Sequence, residues 1–209
     1  MASADFFDIE VMGRGGHGAS PHLAIDPILI SAHLLIGLQQ VVAATVAAGN
    51  AAVVTIGELV AGSAHNIIPE RAVLRGSLRA LRSADRRLVL DRLEAYVAAM
   101  AKAHRGTAAL RLVGGNCPPL VTHTEQVAHV QRCACAATDL SLVPGGPVMA
   151  SDDMSLFLAE RPGCYFRVGA APAGREPPSH HTSEFEIDEA GLAVGTRMAA
   201  TVLLGSLES

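Results

Sequence analysis

Two pairs of histidines carry the side chains best suited to chemistry. His17 and His22 lie in the run Gly13-Arg14-Gly15-Gly16-His17-Gly18-Ala19-Ser20-Pro21-His22, which closes on Asp26-Pro27. His180-His181 is followed by Thr182-Ser183-Glu184-Phe185-Glu186-Ile187-Asp188. Imidazole changes charge near neutral pH and ligates metals through either nitrogen. A metal centre needs three or four converging donors, however, and an adjacent pair in a loop is not such a set. His17 and His22 are five apart with a proline between them, so they do not share a helix face as H-x-x-x-H ligands would. The chain has no H-E-x-x-H, H-x-D, G-x-S-x-G, adjacent Glu-Glu or P-loop motif. Taken by itself, the sequence contains no complete catalytic centre.

The glycine run offers a second chemistry. Gly13, Gly15 and Gly18 match G-x-G-x-x-G between a predicted strand and a predicted helix, the context of a dinucleotide site. Two features argue against it. The preceding strand carries Asp8 and Glu10, whereas a central parallel strand is nearly all apolar. A ribose-binding acid is expected roughly 20 residues further on, and Pro27–Gly57 contains no Asp or Glu. The turn suits the presentation of His17 better, because glycines permit close backbone approach without crowding.

The elements that must position these residues follow from periodicity. Phe6–Val11 alternates as a strand with one wet face, and a helix is expected from Pro21 to Ala48. Its stripe is Ile25, Ile28, Leu29, Ala32, Leu35, Ile36 and Val42, and Gly49-Asn50 ends it. Strands are expected at Ala52–Gly57, Ala72–Arg79 and Ala108–Val113, with a helix from Ser83 to His104 presenting Leu88, Leu93, Val97 and Met100 to the core. The order β-α-β-β-α-β predicts four antiparallel strands with two helices on one face, a ferredoxin-like unit. Gly114–Pro119 marks a boundary, giving domains 1–115 and 116–209. Beyond it helices are expected at Glu125–Thr138, Asp152–Glu160 and Asp188–Leu204, and a short buried strand at Cys164–Val168. One strand and three helices make an incomplete α/β layer, so this part is expected to be a piece of a domain.

Composition narrows the function further. Of 209 residues half are apolar and 17% charged, with net charge −4, so the chain is globular and offers no basic face to nucleic acid. Pro27–Gly57 lacks any Asp, Glu, Lys or Arg, but His33, Gly37, Gln39 and Gln40 interrupt it, so a buried helix and strand are expected rather than a membrane span. No signal peptide is visible. Cys117, Cys133, Cys135 and Cys164 form no C-x-x-C pair and are expected to be small buried hydrophobes in a reducing, cytoplasmic setting.

Several segments together resemble the metal-dependent amidohydrolases related to aminoacylase, hippurate hydrolase and carboxypeptidase G, peptidase family M-20. They are Gly13–His22 with Asp26-Pro27-Ile28, Gly62-Ser63-Ala64-His65-Asn66-Ile67-Ile68-Pro69, and Gly76-Ser77-Leu78-Arg79. Ser151-Asp152-Asp153-Met154 resembles the family's Ser-Glu-Asp-Phe turn, with Asp152 and Met154 replacing Glu and Phe. His181 with Phe185 and Asp188 resembles its last metal-ligand motif.

The resemblance implies a catalytic α/β domain with a bimetal centre (zinc, manganese or cobalt) and an inserted ferredoxin-like lid through which the enzyme forms a homodimer. It implies hydrolysis of N-acyl amino acids or similar amides by a metal-bridging water, with a glutamate as general base. It assigns His17 to the partner subunit's oxyanion, Asn66 and Arg79 to the substrate, and His181 to the metal. The family's remaining metal ligands and its Glu-Glu pair lie upstream of the lid. The expectation is therefore a C-terminal half, inactive without an N-terminal catalytic half. A non-catalytic dimerisation module and a nucleotide-binding domain built on Gly13–Gly18 are the alternatives.

Overall fold

The computed structural model describes residues 1–136, 141–172, 174 and 180–207. The chain divides into two units, Met1–Leu120 with Pro147–Leu156, and Val121–Gly146 with Phe157–Ser209.

The first unit is built on β1 (Ala4–Met12), β3 (Ala52–Ala61), β5 (Arg71–Ala80) and β6 (Thr107–Cys117), in the order β3-β5-β1-β6. Every pairing is antiparallel. Helices α1 (Pro27–Thr45) and α2 (Ser83–Ala103) supply the two crossovers, so the ferredoxin-like expectation holds. The strands are longer than their alternation suggests, and β6 continues through Gly114-Gly115, the stretch expected to be a boundary. Two two-residue strands, β2 (Gly16–His17) and β4 (Ile67–Ile68), form a small sheet of their own.

One face of the sheet packs on the helices. Phe7, Ile9 and Val11 of β1 and Leu74 and Leu78 of β5 meet Ile30, Leu34 and Leu38 of α1 and Val89, Leu93 and Val97 of α2. On the other face the acids of β1 are matched from β5 and β3: Glu10 pairs with Arg71, and Arg75 bridges Asp8 and Glu58.

The buried face of α1 differs from the expected stripe. Ile28, Leu29 and Ile36 are exposed, Ile36 at 77%, while Ile30, Leu34, Gly37 and Leu38 are buried. This helix is apolar nearly all round, so periodicity could not choose its face, and the sheet did. Its start also moves. Pro21–Leu23 is a single 3-10 turn, and α1 begins at Pro27 because the Asp26 carboxylate accepts from the amides of Ile28 and Leu29. At Gly37 any β-carbon would strike the Tyr96 ring of α2, so glycine sets how closely the helices approach. By length and composition alone α1 could cross a membrane, yet six of its residues are buried in this unit.

The second unit contains α3 (Thr124–Ala136) and α5 (Ala190–Leu207), which enclose Val130, Ala134 and Met198, and most of α4 (Met154–Glu160). The expected end of α3 at Thr138 lies outside the described residues. Cys164–Val168 is not a strand: it has no ladder partner among the described residues, and Phe166 is exposed. The cysteines are all free, but none is fully buried and Cys135 is exposed. Burial pushes the Cys164 thiol above its ordinary value.

One ion pair locks α2 to the sheet. Asp5 of β1 is fully buried, and Arg86 meets it with two hydrogen bonds, Nε to Oδ2 at 2.7 Å and Nη2 to Oδ1 at 2.5 Å. The hydrogen bond to Asp5 raises the Arg86 pKa further above its already high value. Removing one partner of a buried pair leaves an uncompensated charge, at about 3–5 kcal/mol. Arg86→Ala should therefore lower the melting temperature far more than Arg87→Ala on the exposed side of the same helix, as calorimetry would show.

Candidate functional site

His17 is positioned by the end of the β1/β5 ladder. Met12 lies opposite Arg71, the Gly13 amide donates to the Glu70 carbonyl at 2.8 Å, and Gly16 and His17 then pair with Ile68 and Ile67. The glycine run is thus a continuation of the central strand. The Gly18 amide donates to the Asn66 main-chain carbonyl at 2.8 Å, and a β-carbon on Gly18 would crowd that same carbonyl oxygen at 3.2 Å. His17 and Asn66, 49 residues apart in sequence, come together here beside Pro69 and Glu70 around an open cavity of about 460 Å³.

The histidine is exposed, but its ring is not free to choose a tautomer. Its Nδ1 accepts from the Ala19 amide at 3.0 Å. A backbone amide can only donate, so in the neutral ring Nδ1 is bare and Nε2 carries the hydrogen. His17 therefore offers a hydrogen-bond donor on the side of the ring away from its own backbone. Glu70, which sequence reasoning missed, lines the same cavity. The only signal for it was its place directly after Pro69, and that signal is weak.

Arg79 is not part of this cluster. It stands eight residues along β5 from Arg71, about 27 Å at 3.4 Å per residue. There its Nη1 donates to the Met149 carbonyl at 3.3 Å and to Ser151 Oγ at 3.0 Å. One copy of this chain cannot bring His17 and Arg79 to the same small molecule.

In the second unit His181 is exposed and has φ +64°, the left-handed region that a non-glycine residue rarely adopts. Its ring lies 6.5 Å from that of His180, which packs 5.1 Å from Phe185. Among the described residues no three His, Cys, Asp or Glu side chains gather in a way that could hold a metal ion. The donors among the described residues do not by themselves fit a bimetal centre.

The glycine run does not form a nucleotide seat either. β1 is antiparallel to both neighbours, and the N-terminus of α1 is already filled by a carboxylate, that of Asp26. A phosphate there would meet a like charge where the motif requires bare amides.

Comparison with known proteins agrees with this geometry. Residues 3–105 match the family model described as the peptidase dimerisation domain. The N-acetyl-L-cysteine deacetylase of Bacillus subtilis is 30% identical over 192 residues, 92% of this chain and 45% of that protein. A crystal structure from methicillin-resistant Staphylococcus aureus superposes with a TM-score of 0.86 at 27% identity, over 97% of this chain and 52% of the other. The Bacillus subtilis YxeP protein, described as a dinuclear metal binding peptidase from the M-20 family, shares the fold with a TM-score of 0.77 at 24% identity, over 51% of its length. The chain spans about half the length of the relatives it matches. It belongs to the M-20 peptidase family, with residues 3–105 as its peptidase dimerisation domain.

Proposed function

We propose that this chain is the lid-bearing half of a metal-dependent amidohydrolase that cleaves N-acyl amino acids or related amides, and that it works as a homodimer. The observation that carries the reading is the tautomer of His17. A ring held through Nδ1 presents Nε2–H outward, which is what a developing oxyanion at the scissile carbonyl requires. The separation of His17 from Arg79 supports a shared site, in which His17 of the partner subunit completes a centre that His181 helps to ligate. When bound, the metal would polarise the carbonyl and activate water. The part of this chain is to donate from His17, to hold the substrate near Asn66, and to supply one metal ligand, His181.

The remaining donors belong to the half of the fold that this chain does not cover. The exposed Leu192, Leu203, Leu204 and Leu207 of α5 provide an apolar seat for that half. The purified chain should show no turnover of N-acetyl amino acids with added zinc, manganese or cobalt. Activity should appear on co-expression with the half of an M-20 relative that this chain does not match. In that complex His17→Ala should lower kcat by about 10²–10³ with little change in KM. Metal-dependent turnover by the chain alone, abolished by His181→Ala, would refute the incompleteness.

The dimer face proposed is that of α1 and the edge strand β3. Its exposed residues include Ile28, Leu29 and Ile36 of α1 and Leu59 and Val60 of β3, and no charged residue occurs from Pro27 to Gly57. The exposed side of α2, by contrast, carries Arg87, Asp91, Arg92, Glu94 and Lys102. A free strand edge next to an apolar helix suits pairing with a second copy. Ile36→Glu should convert a dimer into a folded monomer in light scattering, and Arg92→Glu should not. A dimer that survives Ile36→Glu would move the interface elsewhere.

A further inference from the structure

In the second unit the facing sides of α3 and α5 bring three acceptor atoms around one imidazole nitrogen. His129 and Cys133 are four residues apart on α3, so they share one face of that helix. His129 Nε2 lies 3.7 Å from Cys133 Sγ, and from α5 it meets the Val202 carbonyl at 3.2 Å and Ser206 Oγ at 3.0 Å. The Ser206 hydroxyl donates to the same Val202 carbonyl at 2.8 Å. A carbonyl can only accept, so Nε2 carries the ring hydrogen, and that single hydrogen faces all three acceptors. The cluster opens on a cavity of about 490 Å³. Gly205 makes room for it: a β-carbon there would lie 3.0 Å from Cys133 Sγ and 3.4 Å from His129 Cε1.

An excess of acceptors over hydrogens is what a cation relieves. Imidazole and thiolate are the donors that zinc and cadmium take, whereas calcium and magnesium take oxygen. A tetrahedral ion with bonds of about 2.0 Å to nitrogen, 2.3 Å to sulfur and 2.1 Å to oxygen holds such donors about 3.4–3.6 Å apart. The separations from Nε2 bracket that range, so small side-chain shifts would close the cluster on an ion. From this geometry we infer that His129, Cys133 and Ser206 form a binding site for a thiophilic divalent cation, zinc or cadmium, that clips the last turn of α5 to α3. Water from the cavity fills the fourth position, and binding releases the proton of the thiol. Only two of the donors are histidine or cysteine, so the clip is weaker than a structural zinc site with four. Arg132 also lines the cavity, but it is exposed and solvent screens its charge. The buried core between the two helices is small, formed by Val130, Ala134 and Met198, so a bond across them adds stability. None of these residues enters the hydrolase reading, and the clip is tested on the chain itself.

Cobalt(II) reads the site, because a cobalt–thiolate bond absorbs in the near ultraviolet. With the thiols kept reduced, cobalt added to the purified chain should produce that absorption, saturate at one equivalent and be displaced by zinc. Cys133→Ser and His129→Ala should each abolish it. Gly205→Ala removes no donor and favours the helix, yet its methyl crowds the sulfur, so it should weaken binding by about tenfold. Cys135→Ala, which removes an exposed thiol on another side of α3, should bind as wild type, and so should His181→Ala. Zinc should slow hydrogen exchange in the last turn of α5 in the wild type and not in Cys133→Ser. The inference is overturned if the wild type shows no thiolate absorption, or if the absorption survives Cys133→Ser. Loss of the absorption in Cys135→Ala or His181→Ala, or saturation only well beyond one equivalent, would overturn it too. Should His129→Ala fail to fold, Cys133→Ser and Gly205→Ala decide: wild-type affinity in either would end the proposal.

Discussion

The antiparallel register between β1 and β5 is the constraint on which both ends of the first unit depend. With Met12 opposite Arg71, the residues that follow β1 must run beside those that precede β5, and His17 meets Ile67. A one-residue slip would send Phe7, Ile9 and Val11 to the wet face and Asp8 and Glu10 into the core, so the hydrophobic pattern forbids it. The cross-strand pairing of Asp8 with Arg75 reinforces the same register from the open face. The placement of His17 therefore follows from the packing of the core beneath β1, and the bonds of the turn itself, Gly13 to Glu70, Gly18 to Asn66 and the β2/β4 ladder, complete it.

Much of this was legible in the sequence because strand alternation and turn residues are local signals. The order of the four long strands and two crossover helices, and so the ferredoxin-like unit, could be read from Phe6 to Val113. The proximity of His17 and Asn66 could not, because it rests on a two-residue ladder between segments fifty residues apart. The resemblance named both residues without placing them side by side. The buried face of α1 was misread for a related reason. A helix with leucine, isoleucine or valine on every side has no stripe, and only the sheet decides whether Ile30 or Ile36 goes inside. Cys164–Val168 looked like a strand by composition, but a strand also needs a ladder partner, and partners are not a property of five residues.

The same ambiguity in α1 has a functional edge. A helix whose outer side is as apolar as its inner side carries more hydrophobic surface than its own domain can bury. α2, packed on the same sheet, has an outer side rich in charge, so the difference is not a requirement of the fold. Two helices in equivalent positions with opposite outer surfaces argue for two different environments, one of water and one of protein. On the reading proposed above, that protein is a second copy of the dimerisation domain.

β5 then acts as a ruler. At one end the glycine run lets the backbone pass close to Asn66 and hold His17 by its Nδ1, and at the other Arg79 and Ala80 hold the N-terminus and the approach to α4. A strand of ten residues buried on one face hardly changes length, so these two ends keep a fixed separation that one small substrate cannot bridge. If both ends serve one reaction, they do so from different subunits, and the geometry of the site becomes a geometry of association. In that case a change at the α1/β3 face, far from any reacting atom, would move the His17 donor relative to the carbonyl it serves. A misplacement of about 1 Å can cost on the order of 10²-fold in rate, so activity would follow the dimer interface as closely as it follows the histidine.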